Sequence, residues 1–72
     1  GNVDYRSTID SVGTVYLSVP PHRSGSGKVE LSATGSLTIL DALTDDDNAI
    51  TSKTRVRVID LIDNSTVLVE RV

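Results

Sequence analysis

The sequence predicts an all-β chain closed into one small barrel of five strands. Three observations lead there. Short runs rich in Val, Ile, Leu and Thr recur about every 9–15 residues, bounded by Gly, Pro, Asp, Asn and Ser. Two of these runs change the phase of their apolar alternation part-way, as strands do where a small barrel coils. No stretch between them has room for more than one turn of helix.

Length and composition set the bounds. Seventy-two residues make one domain, and a chain of that size buries only roughly 60% of its unfolded surface. Cys, Met, Trp and Phe are all absent, so the core must come from Val, Leu, Ile and Ala, with no disulfide or thiolate metal site to supplement it. The formal net charge of -3 argues against a nucleic-acid or anionic-membrane surface. No apolar run exceeds three residues, so nothing in the chain spans a bilayer as a helix, and no signal-peptide pattern appears. Gly1 ahead of Asn2 suits a chain cut from a longer protein.

Residues 1–10 read as a lead-in, pinned to the barrel through Ile9, and residues 11–72 as the barrel itself. The first strand is expected over Thr14 to Val19. Val15, Leu17 and Val19 face inward there, Tyr16 faces outward, and Pro20-Pro21 ends the strand. Pro20 to Gly27 suits a flexible loop. Lys28 to Ala33 is the second strand, with Val29, Leu31 and Ala33 inward, and Thr34-Gly35 makes a tight reversal. In the third strand, Ser36 to Leu43, Leu37 and Ile39 share one face and Leu40 and Ala42 the other. A slip at Ile39-Leu40 is therefore expected. Thr44 with Asp47 resembles a helix N-cap, leading to Ile50 as a plug into the core.

The strongest local signal lies at the end. Two β-branched runs, Thr54 to Ile62 and Thr66 to Arg71, flank Asp63-Asn64-Ser65 and read as a hairpin, with Asn64 suited to a left-handed turn conformation. The fourth strand slips at Val58-Ile59, which turns Asp60 outward and Ile59 and Leu61 inward. In the fifth, Val67 and Val69 face in and Leu68 faces out. Five short strands with two of them curved fit a partly open barrel of the OB type, and an SH3-like barrel fits the same pattern.

The chain carries no constellation for catalysis, and no cofactor site is expected. His22 stands alone in a loop, without a second His or a Cys for a metal set, and reads as a solvated residue. Gly25-x-Gly27 lacks the glycine frame and following helix of a phosphate loop. Asp45-Asp46-Asp47 lacks the spaced ligands of a calcium loop and reads as a solvated turn. A nucleic-acid-binding OB module, the alternative function, needs a basic groove and stacking aromatics. Acids outnumber bases ten to seven here, and Tyr5 and Tyr16 are the only aromatics. Arg55, Arg57 and Lys28 are better used in cross-strand pairs with Glu30, Asp60 and Glu70. What remains is an interaction surface on the exterior. Tyr16, Pro20, Pro21 and Leu68 are its candidate partner-binding residues, since tyrosine anchors interfaces and stiff prolines lose little entropy on docking.

The run GTVYLSVPPHRSGSGKVEL from Gly13, then LDALTDD from Leu40, then Ile50 and TRVRVIDLIDNSTVLVERV from Thr54 resembles the C-terminal soluble domain of the NfeD family. The resemblance covers residues 9–72 and rests on the order and spacing of these features. The chain departs at two turns where the family often has glycine: Asp10, three residues before Gly13, and Thr51-Ser52-Lys53 before the fourth strand. The resemblance implies an OB-like barrel without catalytic residues, tethered in the full-length protein by membrane segments outside this chain, on the cytoplasmic side. It also implies a stomatin- or flotillin-like membrane scaffold protein as partner. The net charge and the scarcity of aromatics predict no nucleic-acid partner, and the interaction-module reading predicts a domain that is monomeric in isolation.

Overall fold

The computed structural model describes residues 5–33 and 36–72. Five strands form in the predicted order: β1 (Val12–Leu17), β2 (Gly27–Ala33), β3 (Ser36–Leu43), β4 (Arg55–Leu61) and β5 (Thr66–Arg71). They close into a barrel in the order β1-β2-β3-β5-β4, with β4 returning to β1. All neighbours are antiparallel except β3 and β5, which run parallel where Asp41, Ala42 and Leu43 face Thr66, Val67 and Leu68. That arrangement is a small OB-like barrel. A 3-10 turn, Tyr5–Thr8, packs on β4, and a second, Pro21–Arg23, packs on β3. The expected Thr34-Gly35 reversal lies outside the described residues.

The core is aliphatic and closed. Val15, Val29, Leu31, Leu40, Ala42, Val56, Val58, Val67 and Val69 fill the interior. Val19 and Ile50 meet in an isolated bridge with reciprocal backbone hydrogen bonds of 2.9 Å and cap one end. Each such side chain contributes roughly 1.5–3 kcal/mol by leaving water, so a chain without large aromatics must recruit nearly every strand residue that faces inward. Close strand crossing explains two glycines. A Cβ on Gly27 would run into the carbonyl oxygens of Leu17 and Ser18, and one on Gly13 into Glu30 and Leu31.

The phase changes fall differently from the sequence reading at several points. The slip in β4 is present: register shifts between Val58 and Asp60, Asp60 is exposed, and Leu61 packs on the core. Ile59 is the extra residue of that bulge and is exposed rather than inward. The slip at Ile39-Leu40 does not occur. The β2–β3 register runs unbroken from Gly27↔Ala42 to Ala33↔Ser36, with Leu40 and Ala42 inside and Leu37 70% exposed. The reason is reach: β5 pairs only with Asp41–Leu43, so the earlier half of β3 continues past the closure with β2 and turns Leu37 and Ile39 to solvent. A bulge that the sequence did not signal occurs in β1, between Val15 and Leu17, and it turns Leu17 outward at 50% exposure. Asn64 is not among the residues with positive φ; the hairpin turn instead uses Asp63, whose carboxylate accepts the Ser65 N–H at 2.9 Å. Among the described residues of the lead-in, Thr8 is buried and Ile9 is exposed.

Replacing Gly27 by Ala is expected to lower the unfolding free energy by about 1–3 kcal/mol through overpacking against backbone. Leu37→Ala is expected to stay within about 0.5 kcal/mol despite removing a large apolar side chain. Urea denaturation of both variants beside the parent domain checks the contrast.

Candidate interaction surface

Tyr16 is the extra residue of the β1 bulge, which leaves the residue 55% exposed. With Thr14 and Val15 it floors a surface depression of about 280 Å³. Glu30, opposite Thr14 on β2, stands at one side, and Ser52 and Lys53 stand at the other. The second side is held by backbone. Lys53 N–H donates to the Val15 carbonyl at 2.7 Å, Val15 N–H donates to Thr54 at 2.9 Å, and Thr54 N–H closes the turn onto Thr51 at 3.3 Å. This turn requires Lys53 at φ 75°, a left-handed conformation that glycine adopts freely and lysine does not. Asp10 also sits at φ 75°, with its N–H donated to the Val58 carbonyl at 2.7 Å. These are two of the turn positions singled out in the sequence as departures from glycine. The backbone geometry is kept and the side chain is carried at a cost.

Pro20 and Pro21 lie elsewhere. Both are half-buried, and Pro21 opens the second 3-10 turn. The loop expected to be flexible is tied along the 44–46 segment: His22 N–H donates to Asp46 at 3.1 Å and Arg23 N–H to Thr44 at 2.8 Å, with both His22 and Arg23 at φ 55°. The aspartate run supports the same loops. Arg23 makes a two-pronged pair with Asp45, at 2.6 and 3.0 Å. Arg71 donates to Asp46 at 2.5 Å and to the Ala49 carbonyl at 2.8 Å. The Thr44 hydroxyl accepts the Asp46 N–H at 3.1 Å without starting a helix. Lys28 pairs with Asp41 at 2.7 Å, across β2 and β3, rather than with Glu30, Asp60 or Glu70. Among the described residues, no three His, Asp or Glu side chains gather in a metal-binding group.

Leu68 corrects the sequence reading. It points away from the interior cluster, yet it is only 6% exposed, beside Leu43 of β3 and opposite Asp60 of β4. A side chain so covered cannot anchor a partner. Tyr16 therefore stands with Lys53 and Glu30, not with Leu68. The depression itself had no local sign in the sequence, because it arises from the β1 bulge; only the glycine departure at Lys53 pointed toward it.

The fold and surface define a small OB-like barrel domain whose interior is filled and whose accessible features are external. Three solved structures are similar to it over nearly its whole length. The soluble domain of the NfeD protein YuaF from Bacillus subtilis is 29% identical, with a TM-score of 0.73 over 93% of this chain and 79% of that one. The soluble domain of a membrane protein implicated in regulation of membrane protease activity, from Corynebacterium glutamicum, is 28% identical, with a TM-score of 0.73 over 94% and 97%. The C-terminal domain of stomatin operon partner protein 1510-C from Pyrococcus horikoshii shares the fold at 24% identity, with a TM-score of 0.69 over 92% and 89%. No protein-family model and no curated protein matches the sequence. In sequence and fold the chain is similar to the soluble domains of NfeD proteins. No helix among the described residues is long and apolar enough to cross a membrane.

Two outcomes follow. Lys53→Gly is expected to raise the unfolding free energy by about 0.5–1 kcal/mol, since glycine removes the left-handed penalty; thermal and urea unfolding measure it. Hydrogen bonding to Arg23 holds the Asp45 carboxyl below the usual aspartate range, and backbone N–H donors, chiefly Asn48 for Asp46 and Ser65 for Asp63, do the same there. Lowered folded values mean that the linked stability is complete above the ordinary aspartate value and is lost as the pH falls through the lowered ones. Carboxyl titration by NMR should place all three midpoints below that of an aspartate in a free peptide.

Proposed function

We propose that this chain is a non-catalytic protein-interaction domain of a membrane-anchored NfeD-like protein, and that it acts with a stomatin- or flotillin-like membrane scaffold protein. Similarity to soluble domains of NfeD and other membrane proteins supports the tether, and one similar fold comes from a stomatin operon partner protein. In the full-length protein the tether lies in segments outside this chain, and the barrel faces the cytoplasm. The observation that carries the reading is exposed Tyr16 on a barrel whose interior is packed with its own side chains. An exterior anchor and a filled interior suit docking of a macromolecule better than enclosure of a small ligand or cofactor.

Tyr16 is the principal contact and the half-buried Pro20-Pro21 corner a secondary one. The isolated domain is a monomer, binds the scaffold weakly, and binds it effectively only when both share one membrane, where effective concentration rises. Nucleic acid is not a partner, given the net charge of -3 and the two tyrosines as sole aromatics.

Co-purification of the full-length protein with its scaffold tests the reading. Deleting the barrel is expected to abolish it, and Tyr16→Ala to reduce it. Retention after barrel deletion would sink the interaction-module reading. Loss on barrel deletion with no effect of Tyr16→Ala would leave the module and remove Tyr16 as its contact.

A further inference from the structure

Apart from Arg6 of the lead-in, which is itself engaged, the cations of this chain divide into two groups. Arg23, Lys28 and Arg71 are each held by a carboxylate, of Asp45, Asp41 and Asp46 in turn. Lys53, Arg55 and Arg57 have no ion pair among the described residues. They are not scattered. They occupy alternate positions of β4 and its entry turn, so Arg55 and Arg57 share the outer face while Val56 and Val58 face the core. Register places them along one seam: Arg57 opposite Val12 on β1 and Glu70 on β5, without an ion pair to the latter, Arg55 opposite Thr14, and Lys53 bonded through its backbone to Val15. A strip of unpaired positive charge thus runs beside Val12, Thr14 and Tyr16, and it ends at the depression.

We propose that this seam docks a short, extended acidic segment of a protein partner, with glutamate or aspartate side chains along the β4 strip and one apolar or aromatic side chain in the depression against Tyr16. The proposal rests on the reading of the domain as a partner-binding module and gives that surface its chemistry. Spacing supports an extended segment. Alternate residues of a strand lie about 6.6 Å apart, so acids at every second position of an extended peptide match Arg55 and Arg57 one for one, with Lys53 at the end of the row in the turn. The side chain entering the depression meets a tyrosine ring, which presents a large apolar area at little entropic cost. Glu30 fixes the direction. It borders the depression from β2, has no ion pair among the described residues, and repels an acidic segment that strays from β4 toward β2. Backbone pairing cannot contribute, because β1 is already paired with β2 on one side and β4 on the other. Recognition is therefore by side chains alone, weak and salt-sensitive.

Lys53 separates binding from folding. It holds a left-handed conformation where glycine is the relaxed choice, so Lys53→Gly relieves backbone strain while removing one cation of the strip.

The test uses this domain and a fluorescent peptide of alternating glutamate and valine with one central tyrosine. Anisotropy should show saturable binding that weakens as salt rises, and amide shifts should concentrate on Val12 to Tyr16 and on Lys53 to Arg57. Arg55→Glu with Arg57→Glu should weaken binding at least about tenfold, the order of two lost charge contacts. Lys53→Gly should also weaken it, while unfolding measurements show an unchanged or more stable domain. Reversal of Lys28, whose partner is Asp41, should leave the affinity alone. No shift at millimolar peptide, equal binding of a lysine-valine peptide, or preferential binding of an oligonucleotide or of anionic vesicles to the same strip would each overturn the proposal. If the peptide fails while barrel deletion still abolishes scaffold co-purification, the acidic-segment chemistry is wrong and the module reading stands. If the peptide binds while barrel deletion leaves co-purification intact, the seam is real and the scaffold is not its partner.

Discussion

The barrel depends on a short contact. Asp41, Ala42 and Leu43 of β3 meet Thr66, Val67 and Leu68 of β5 in parallel, and this is the pairing that turns four antiparallel neighbours into a closed sheet. Its backbone seal continues at the Asp41 N–H, which donates to Ser65 at 3.2 Å. A chain with 38% hydrophobic residues and no Phe, Trp or Met has little apolar bulk per strand. Closing the sheet lets every strand spend its small side chains on one shared interior. Without the β3–β5 contact, Val67 and Val69 would lack the facing wall that leaves them 0% and 1% exposed.

Closure with so few residues forces the strands to coil, and the coiling produces the functional exterior. The bulge at Ile59 bends β4 where it passes β5, and the bulge at Tyr16 bends β1 where it passes β2. A bulged residue leaves the alternation and is re-aimed. At Ile59 the result is an apolar side chain at the surface. At Tyr16 it is an aromatic ring beside a depression, next to a turn strained at Lys53. Gly27 belongs to the same crossing, since the Leu17 and Ser18 carbonyls occupy the space of its absent Cβ. Fold and surface are therefore one constraint seen from two sides.

This explains what was legible in the sequence. Alternation tells which residues share a face, and it located all five strands, the Val58-Ile59 slip and the Ile50 plug. It does not tell how far a neighbouring strand reaches. Leu37 and Ile39 looked like core because they are apolar, but β5 stops short of them. Leu68 looked external because it falls between Val67 and Val69, and it does leave the interior cluster; what alternation could not show is that its outer side is covered too. The bulge at Tyr16 was hidden for the opposite reason. Val15, Leu17 and Val19 alternate without a break, so nothing local marks the extra residue that the crossing inserts. Turn chemistry was more readable. Asp10 and Lys53 stood out as residues in glycine positions, and both hold φ 75°. Among the candidate surface residues, Tyr16 is accessible, Pro20 and Pro21 are partly so, and Leu68 is not.

Charge shows the same difference between a sum and a placement. The net value of -3 describes the molecule at long range, where it bears on solubility and on non-specific attraction to polyanions. It does not set the sign of a particular face. At physiological ionic strength exposed charges are screened over about 8 Å, well inside a body measuring 35 × 21 × 17 Å. A docking ligand therefore feels the charges beside it. Asp45 and Asp46 are engaged by Arg23 and Arg71, and Asp41 by Lys28, so these three pairs hold loops and strands in place. The cations without an ion pair among the described residues lie on β4 and its entry turn, where Arg57 and Arg55 face uncharged Val12 and Thr14 on the β1 side, while on the β5 side Arg57 stands opposite Glu70. A chain acidic as a whole thus presents a row of cations beside exposed Tyr16, and that row follows from strand register rather than from composition.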